Sequence, residues 1–207
     1  ATALDIVAEF SKDAVYSDVK LSPDGKFLSV IINVEGKRAL GFVERSSYTM
    51  VNAVQFGGNY EVGDYYWVND ERVVIKMVVS QPWSKEPAYY GELYAVNWNG
   101  RQGSMIYGYT AAEQQTGKLI KQREATQGWA EIVDLYAKDD RKVVISSTPW
   151  GQDGSRVPEL LLMDVYSGRT RKIAHGPASH SQFVVNDSGE PVLAYAVDKH
   201  NDRVVFR

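Results

Sequence analysis

Short apolar runs rich in β-branched and aromatic residues follow one another along most of this chain, separated by polar turn-forming clusters. Four of these clusters are similar, and each lies between two apolar runs, as the turn of a β-hairpin does. The four copies are Leu21-Ser-Pro-Asp24-Gly25-Lys-Phe-Leu, Trp67-Val-Asn-Asp70-Glu71-Arg-Val-Val, Ala137-Lys-Asp139-Asp140-Arg-Lys-Val-Val and Val185-Asn-Asp187-Ser-Gly189-Glu-Pro-Val-Leu.

The spacing of these turns predicts a β-propeller. Taken as markers, Asp24, Asp70, Asp139 and Asp187 are separated by 46, 69 and 48 residues. A repeat of about 40–50 residues with several strands per unit is typical of propeller blades. We therefore predict an all-β fold, a partial β-propeller of four-stranded antiparallel blades with about three and a half blades present. The expected blades cover residues 13–57, 58–107, 129–177 and 178–207.

Two segments fall outside the repeat. Apolar residues at helical spacing predict a leading helix or arm over residues 1–12. The long middle interval contains an insertion, residues 108–128, whose polar composition predicts a loop or a marginal helix. The turns on one rim are tight, whereas the loops on the other rim, 81–90 and 148–158, are long. We call the second the elaborated rim and expect function there, because loops on a rigid scaffold carry sites.

Two tryptophans are the candidate contact residues on the elaborated rim. Trp83 and Trp150 each follow a proline at the same place in successive blades, so their rings are expected on one side of the molecule. They could contact a peptide or a partner domain. Alternatively, each ring could fold back over the end of its own blade core, and the sequence leaves both interpretations open.

Signatures of catalysis are not found in the sequence. It contains no Gly-x-Ser-x-Gly elbow, no cysteine and no phosphate-binding Gly-rich loop. The three histidines, His175, His180 and His200, are interpreted as loop residues rather than as metal ligands. We therefore expect no catalytic residue, no cofactor site and no metal site in this chain.

The composition restricts the expected binding partners but does not identify the cellular compartment. The formal net charge of −3 gives no reason to expect nucleic acid or an anionic membrane as a partner. No stretch approaches the ~20 apolar residues of a membrane-spanning helix. The lack of cysteine is compatible with the cytoplasm and with the bacterial periplasm, and we slightly favour the periplasm.

Several strings resemble the propeller of prolyl oligopeptidase-family serine peptidases, especially the bacterial dipeptidyl aminopeptidase/acylaminoacyl-peptidase-like group. The similarity covers nearly the whole chain, in family order. The strings are Tyr16-Ser-Asp-Val-Lys-Leu-Ser-Pro-Asp-Gly-Lys26, Tyr66-Trp-Val-Asn-Asp-Glu-Arg72, Glu92-Leu-Tyr-Ala-Val-Asn97, Leu162-Met-Asp-Val-Tyr-Ser-Gly-Arg169 and Phe183-Val-Val-Asn-Asp-Ser-Gly-Glu-Pro191.

The resemblance implies a role and partners. The chain would be the non-catalytic propeller portion of such a peptidase, covering the active-site face of a C-terminal α/β-hydrolase domain and restricting access to short peptides. Some aminodipeptidases of the family hold the substrate N-terminus with a Glu-Glu pair, and no Glu-Glu dipeptide occurs here. The alternative is a stand-alone protein-binding or scaffold module resembling the Tol-system propeller, which shares Ser-Pro-Asp-Gly-Lys.

A partial propeller leads to a prediction about self-association. Blade four would leave a strand edge and an apolar face uncovered, which favours pairing with another chain. We therefore expect the isolated chain to associate with another copy, or with the rest of its own protein, through this edge. Val204→Lys and Phe206→Lys should reduce the mass measured by light scattering. A 23.2 kDa monomer at high concentration, unaffected by either change, would contradict the prediction.

Overall fold

The computed structural model describes residues 16–109, 128–150, 156–197, 200 and 202–207. These residues form fifteen β-strands in four sheets, which we call blades one to four in chain order. Blade one contains β1 (Tyr16–Leu21), β2 (Phe27–Val34), β3 (Lys37–Glu44) and β4 (Thr49–Val54). Blade two contains β5 (Tyr60–Trp67), β6 (Arg72–Val79), β7 (Ala88–Asn97) and β8 (Ser104–Tyr107). Blade three contains β9 (Gly128–Leu135), β10 (Lys142–Pro149), β11 (Glu159–Asp164) and β12 (Thr170–His175). Blade four contains β13 (Gln182–Val185), β14 (Pro191–Val197) and β15 (Arg203–Phe206).

Each blade is an antiparallel meander in which consecutive strands are neighbours. The described residues give three four-stranded sheets and one three-stranded sheet, which confirms the predicted all-β fold with about three and a half blades. The helix predicted over residues 1–12 lies outside the described residues, as does most of the insertion predicted over 108–128.

The repeated turns are stabilised by side-chain oxygens that accept hydrogen bonds from backbone amides. In the first turn, the Asp24 carboxylate accepts hydrogen bonds from the Ser22 hydroxyl (2.7 Å) and the Lys26 amide (3.1 Å). These hydrogen bonds lower the pKa of Asp24 to about 2. In the third turn, the Asp139 carboxylate accepts the amide of Arg141 at 3.0 Å. The acid in these turns is therefore a local structural acceptor.

In the second and fourth turns the acceptor is an asparagine. Asn69 Oδ1 accepts the amides two and three positions later, at 3.1 and 2.9 Å. Asn186 Oδ1 accepts the amides two and four positions later, both at 3.0 Å. The marker residues Asp70 and Asp187 thus stand one position after the residues that hold these turns.

Alternate residues of the middle strands pack against opposite neighbours. In β6, Val73 and Ile75 belong to a buried cluster shared with blade one, whereas Val74 belongs to a cluster shared with blade three. In β10, Ile145 faces blade two and Val144 faces blade four. Because side chains alternate across a strand, a sheet covered on both faces requires consecutive apolar residues.

A buried arginine joins blades two and three. Arg72 is 1% exposed. Its Nε donates to the Val165 carbonyl (2.9 Å), and its Nη1 donates to Asn97 Oδ1 (2.8 Å) and to the Gln102 carbonyl (3.1 Å). The guanidinium also lies 4.3 Å from the ring centroid of Tyr166. Since Val165 and Tyr166 follow β11, this one side chain spans the interface between the two blades.

The outer face of blade four is exposed. Val184, Val197 and Val205 keep 43%, 53% and 57% of their surface accessible. Phe206 lies on the opposite face, packed against the cluster shared with blade three. Phe206→Lys would therefore disturb that interface as well as the edge, and Val205→Lys is the sharper test of the exposed face.

We predict that Arg72→Ala lowers the free energy of unfolding by about 3 kcal/mol or more. Two buried acceptors, the Val165 carbonyl and Asn97 Oδ1, lose a charged donor, each costs about 1–3 kcal/mol when left unsatisfied, and the partly buried Gln102 carbonyl loses one as well. Urea unfolding followed by tryptophan fluorescence measures the change. The matched control is Arg171→Ala, an exposed arginine of β12, which should change stability by no more than about 0.5 kcal/mol. Equal effects of the two substitutions would contradict this role of Arg72.

Candidate functional site

The first strands of the four blades occupy equivalent positions in their sheets. Each lies at one side of its sheet, and those of blades two to four contact the blade before them. We call the row β1, β5, β9 and β13 the inner edge. The register of β1 shifts around Asp18, which has a φ of +50°, and that of β5 shifts around Asp64. Bulges re-aim side chains, and these two bring carboxylates toward the same lysine.

Lys20 is the centre of this cluster. Its Nζ lies 2.8 Å from Asp64 Oδ1, 3.6 Å from Asp18 Oδ2 and 2.6 Å from the carbonyl oxygen of Tyr65. It also lies 4.3 Å from the ring centroid of Tyr65 and 5.1 Å from that of Tyr66. The ammonium group of Lys20, on β1, therefore lies between carboxylates and aromatic rings. Most of these groups belong to β5.

These contacts shift the pKa values of the cluster. Burial raises the pKa of Asp64, but hydrogen bonds from Lys20, the Tyr66 hydroxyl and the Tyr65 amide outweigh it and hold that pKa below its ordinary value. Burial raises the pKa of Tyr65 to about 12. Burial and the Asp64 carboxylate also raise the pKa of Tyr66. Both phenols therefore stay protonated at neutral pH and act as donors.

The same strands are joined by a buried hydroxyl network. The Tyr65 hydroxyl donates to the carbonyl of Asp18 (2.5 Å) and lies 3.0 Å from the Ser29 carbonyl. Trp67 Nε1 donates to Ser29 Oγ at 2.8 Å. Lys20, Asp64 and Tyr65 thus use their polar atoms on each other and on the backbone. We interpret this cluster as a tie between blades one and two rather than as a reactive site.

The structure places the two candidate tryptophans differently. Trp83 lies in the loop between β6 and β7 and is 80% exposed. Trp150 directly follows β10, is 37% exposed, and packs edge-to-face on Trp129 with ring centroids 5.5 Å apart. Among the described residues, Trp83 packs against no other aromatic ring. A peptide or domain contact at either ring stays a prediction.

A groove opens between blades three and four beside Trp129. Its volume is about 580 Å³. Polar side chains of β9, β10 and the loop before β13 form its walls, and apolar side chains lie among them. The lining residues are Glu131, Ile132, Val133, Ser146, Thr148, His180, Ser181, Gln182 and Phe183.

Sequence reasoning missed this groove and two residues beside it. Trp129 and Arg156 were not among the candidates, although the guanidinium of Arg156 lies 5.3 Å from the ring centroid of Trp129. The available signal was in β10, where alternate residues on one face change from Val144 to Ser146 and Thr148. A sheet face that changes from apolar to polar along one strand is packed at one end and open to water at the other.

The histidines form no metal site in the described part of the chain. His175 Nδ1 lies 2.9 Å from the Gly176 carbonyl oxygen, and His180 has a φ of +57° in its loop. No group of three His, Cys, Asp or Glu side chains there is placed to hold a metal ion. The same residues include no helix with the length and hydropathy needed to cross a membrane.

Comparison with protein-family models gives no match, and comparison with curated proteins gives none either. Comparison with solved structures does give matches. The oligogalacturonate lyase of Vibrio parahaemolyticus has a TM-score of 0.51 and 13% sequence identity, over 94% of this chain and 52% of the lyase. A chain of the nidogen/laminin complex has a TM-score of 0.42 and 11% identity, over 92% of this chain and 64% of that one.

A third similar structure is Kluyveromyces lactis Hsv2, with a TM-score of 0.38 and 13% identity, over 95% of this chain and 63% of Hsv2. This chain thus spans about half the length of the lyase and less than two thirds of the other two. At such low identities the similarity to the lyase concerns the fold alone. Together with the four sheets, it defines the chain as a β-propeller module.

We predict that Asp64→Asn destabilises the protein at neutral pH and that the deficit shrinks in acid. The pKa of Asp64 is depressed in the folded state, so its contribution is fully present above the unfolded-state value of about 3.9. It is lost as the pH falls through the folded-state pKa. Melting temperatures of both proteins, from about pH 7 to about pH 2, measure this.

The control for this experiment is Asp187→Asn, which changes an exposed turn carboxylate. At each pH its melting temperature should be almost the same as that of the unsubstituted protein. A deficit for Asp64→Asn that is constant across the whole pH range would show that the carboxylate charge is not what stabilises the tie between blades one and two.

Proposed function

We propose that this chain is the non-catalytic propeller portion of a prolyl oligopeptidase-family serine peptidase. In this role it covers the active-site face of an α/β-hydrolase domain and restricts access to short peptides. The hydrolase domain and short peptides are the proposed partners. The propeller fold of the chain supports this proposal, because it is the fold that the resembling strings require.

The observation that carries the proposal is where the resembling strings lie in the fold. The string Tyr16–Lys26 spans β1 and its turn, and Phe183–Pro191 spans β13 and its turn. The string Tyr66–Arg72 covers the end of β5 and the next turn. Three strings that are weak individually therefore recur at the same structural place, the first strand and first turn of blades one, two and four, and the other two lie on the third strands of blades two and three.

A second observation is consistent with a larger body. Val184, Val197 and Val205 leave an apolar surface on the outer face of blade four. By contrast, the three described interfaces between neighbouring blades are apolar and buried. In a closed propeller every blade is covered on both faces, so we propose that further blades of the same protein cover this surface.

One observation favours the alternative, a protein-binding propeller without a hydrolase domain. Trp83 is 80% exposed on the elaborated rim. Large exposed aromatic rings are enriched at protein-binding surfaces. A stand-alone binding module resembling the Tol-system propeller would use this ring for its partner.

The complete protein decides between these functions. We predict that a serine-directed covalent probe labels the full-length protein at one serine of a Gly-x-Ser-x-Gly elbow outside residues 1–207, because nucleophilic hydrolysis needs such an elbow. The 207-residue chain should not be labelled. The labelled enzyme should cleave short peptides in preference to folded proteins. A full-length protein without a labelled serine would exclude the peptidase, and a labelled serine within residues 1–207 would contradict the non-catalytic role.

A further inference from the structure

The interface between blades three and four is closed at one end and open at the other. The face of β10 toward blade four carries Val144, Ser146 and Thr148. Val144 packs in a buried cluster with residues of β11 and blade four. Ser146 and Thr148, farther along the strand, line the groove. The apolar contact between the two blades therefore stops halfway along β10.

At the same level of the preceding interface, described side chains bridge the two blades. Between blades two and three, Tyr107 and Ser147 share a hydrogen bond of 2.6 Å between their hydroxyls. The Tyr89 hydroxyl donates to the carbonyl of the buried Ala130 at 2.5 Å. Blades two and three are thus bridged by hydrogen bonds at the level where the groove opens between blades three and four.

An aromatic platform and a guanidinium stand at the mouth of the groove. Trp129 is paired in register with Thr148, so its ring lies next to the groove wall. Trp150 packs on it edge-to-face, and Arg156 lies over it at 5.3 Å. The amide of His180, which lines the groove, donates to the Arg156 carbonyl at 2.9 Å. These contacts place Arg156 beside the opening.

The charge of Arg156 is not neutralised by any carboxylate of the described residues. The acid of the groove, Glu131, forms an ion pair with Lys76 of β6. A guanidinium beside an indole can still form a bidentate pair with a carboxylate.

We propose that this groove binds the C-terminal end of a short peptide. Arg156 pairs with the terminal carboxylate, and the last side chain, an apolar or aromatic one, packs against Trp129 and Trp150. The hydroxyls of Ser146 and Thr148 bond to the peptide backbone. The choice of a peptide rests on the proposed function above, because a sugar acid also offers a carboxylate beside a body that can stack on tryptophan.

The ligand chemistry is tested on the 207-residue chain by isothermal titration calorimetry. The probes are the tripeptide Ala-Ala-Phe as the free acid, the same tripeptide as the C-terminal amide, and galacturonic acid. We expect the free acid to bind at least about tenfold more tightly than the amide, because a charge-assisted hydrogen bond contributes about 1.5–3 kcal/mol. Equal affinities, or no binding of the free acid, would overturn the proposal. Tighter binding of galacturonic acid than of the tripeptide would overturn the assignment to peptides.

Two variants and a control locate the site. Arg156→Gln removes the charge and should abolish the preference for the free acid over the amide. Ser146→Leu fills the groove and should weaken both peptides together. Arg171→Gln makes the same charge change on exposed β12 and should leave binding unchanged. Far-ultraviolet circular dichroism and melting temperature check that each variant is folded. Unchanged binding by both Arg156→Gln and Ser146→Leu would place the peptide elsewhere.

The result is independent of the test of the proposed function. Peptide binding at the groove in a protein whose full length lacks a reactive serine would support this inference and exclude the peptidase. A reactive serine in a protein whose groove binds no peptide would support the peptidase and overturn the peptide site.

Discussion

The need to bury both faces of each central sheet determines most of this structure. Blade two packs on blade one through Val73 and Ile75 and on blade three through Val74 and Ala95. A strand under this constraint cannot alternate apolar and polar residues, so the middle strands carry continuous apolar runs. Burying a polar side chain is costly unless its hydrogen bonds are made. Arg72 and the other buried polar residues are therefore hydrogen-bonded. No buried side-chain nitrogen or oxygen of the described residues lacks a partner.

This constraint explains what the sequence could predict. Apolar runs separated by turn-forming clusters can be read from the sequence alone, and they predicted the strands, the repeat and the all-β fold. The turn acceptors were harder, because Asn69 and Asp70 are both good turn residues and only the hydrogen bonds distinguish them. Phe206 was assigned to the exposed edge, whereas the alternation of side chains turns it toward blade three.

The candidate site was less accessible to sequence reasoning. Trp83 and Trp150 were found because each follows a proline at an equivalent place. The ring on which Trp150 packs, Trp129, belongs to a different strand and meets it only through the pairing of β9 with β10. Likewise, Ser146 and Thr148 resemble the solvent face of an ordinary strand until blade four is placed opposite them. Contacts between strands and between blades carry the information that a single sequence does not display.

The position of Arg72 also has a consequence for how the protein folds. Its hydrogen bond to Val165 joins residues that are 93 positions apart along the chain. Such a contact forms only after a long loop has closed, which is slow and entropically costly. Solenoid repeats can gain or lose units one at a time because each contacts only its neighbours through similar surfaces. Blades two and three share one guanidinium whose acceptors come from both, so the two blades form a single cooperative unit, and neither reaches its native hydrogen bonding while the other is unfolded.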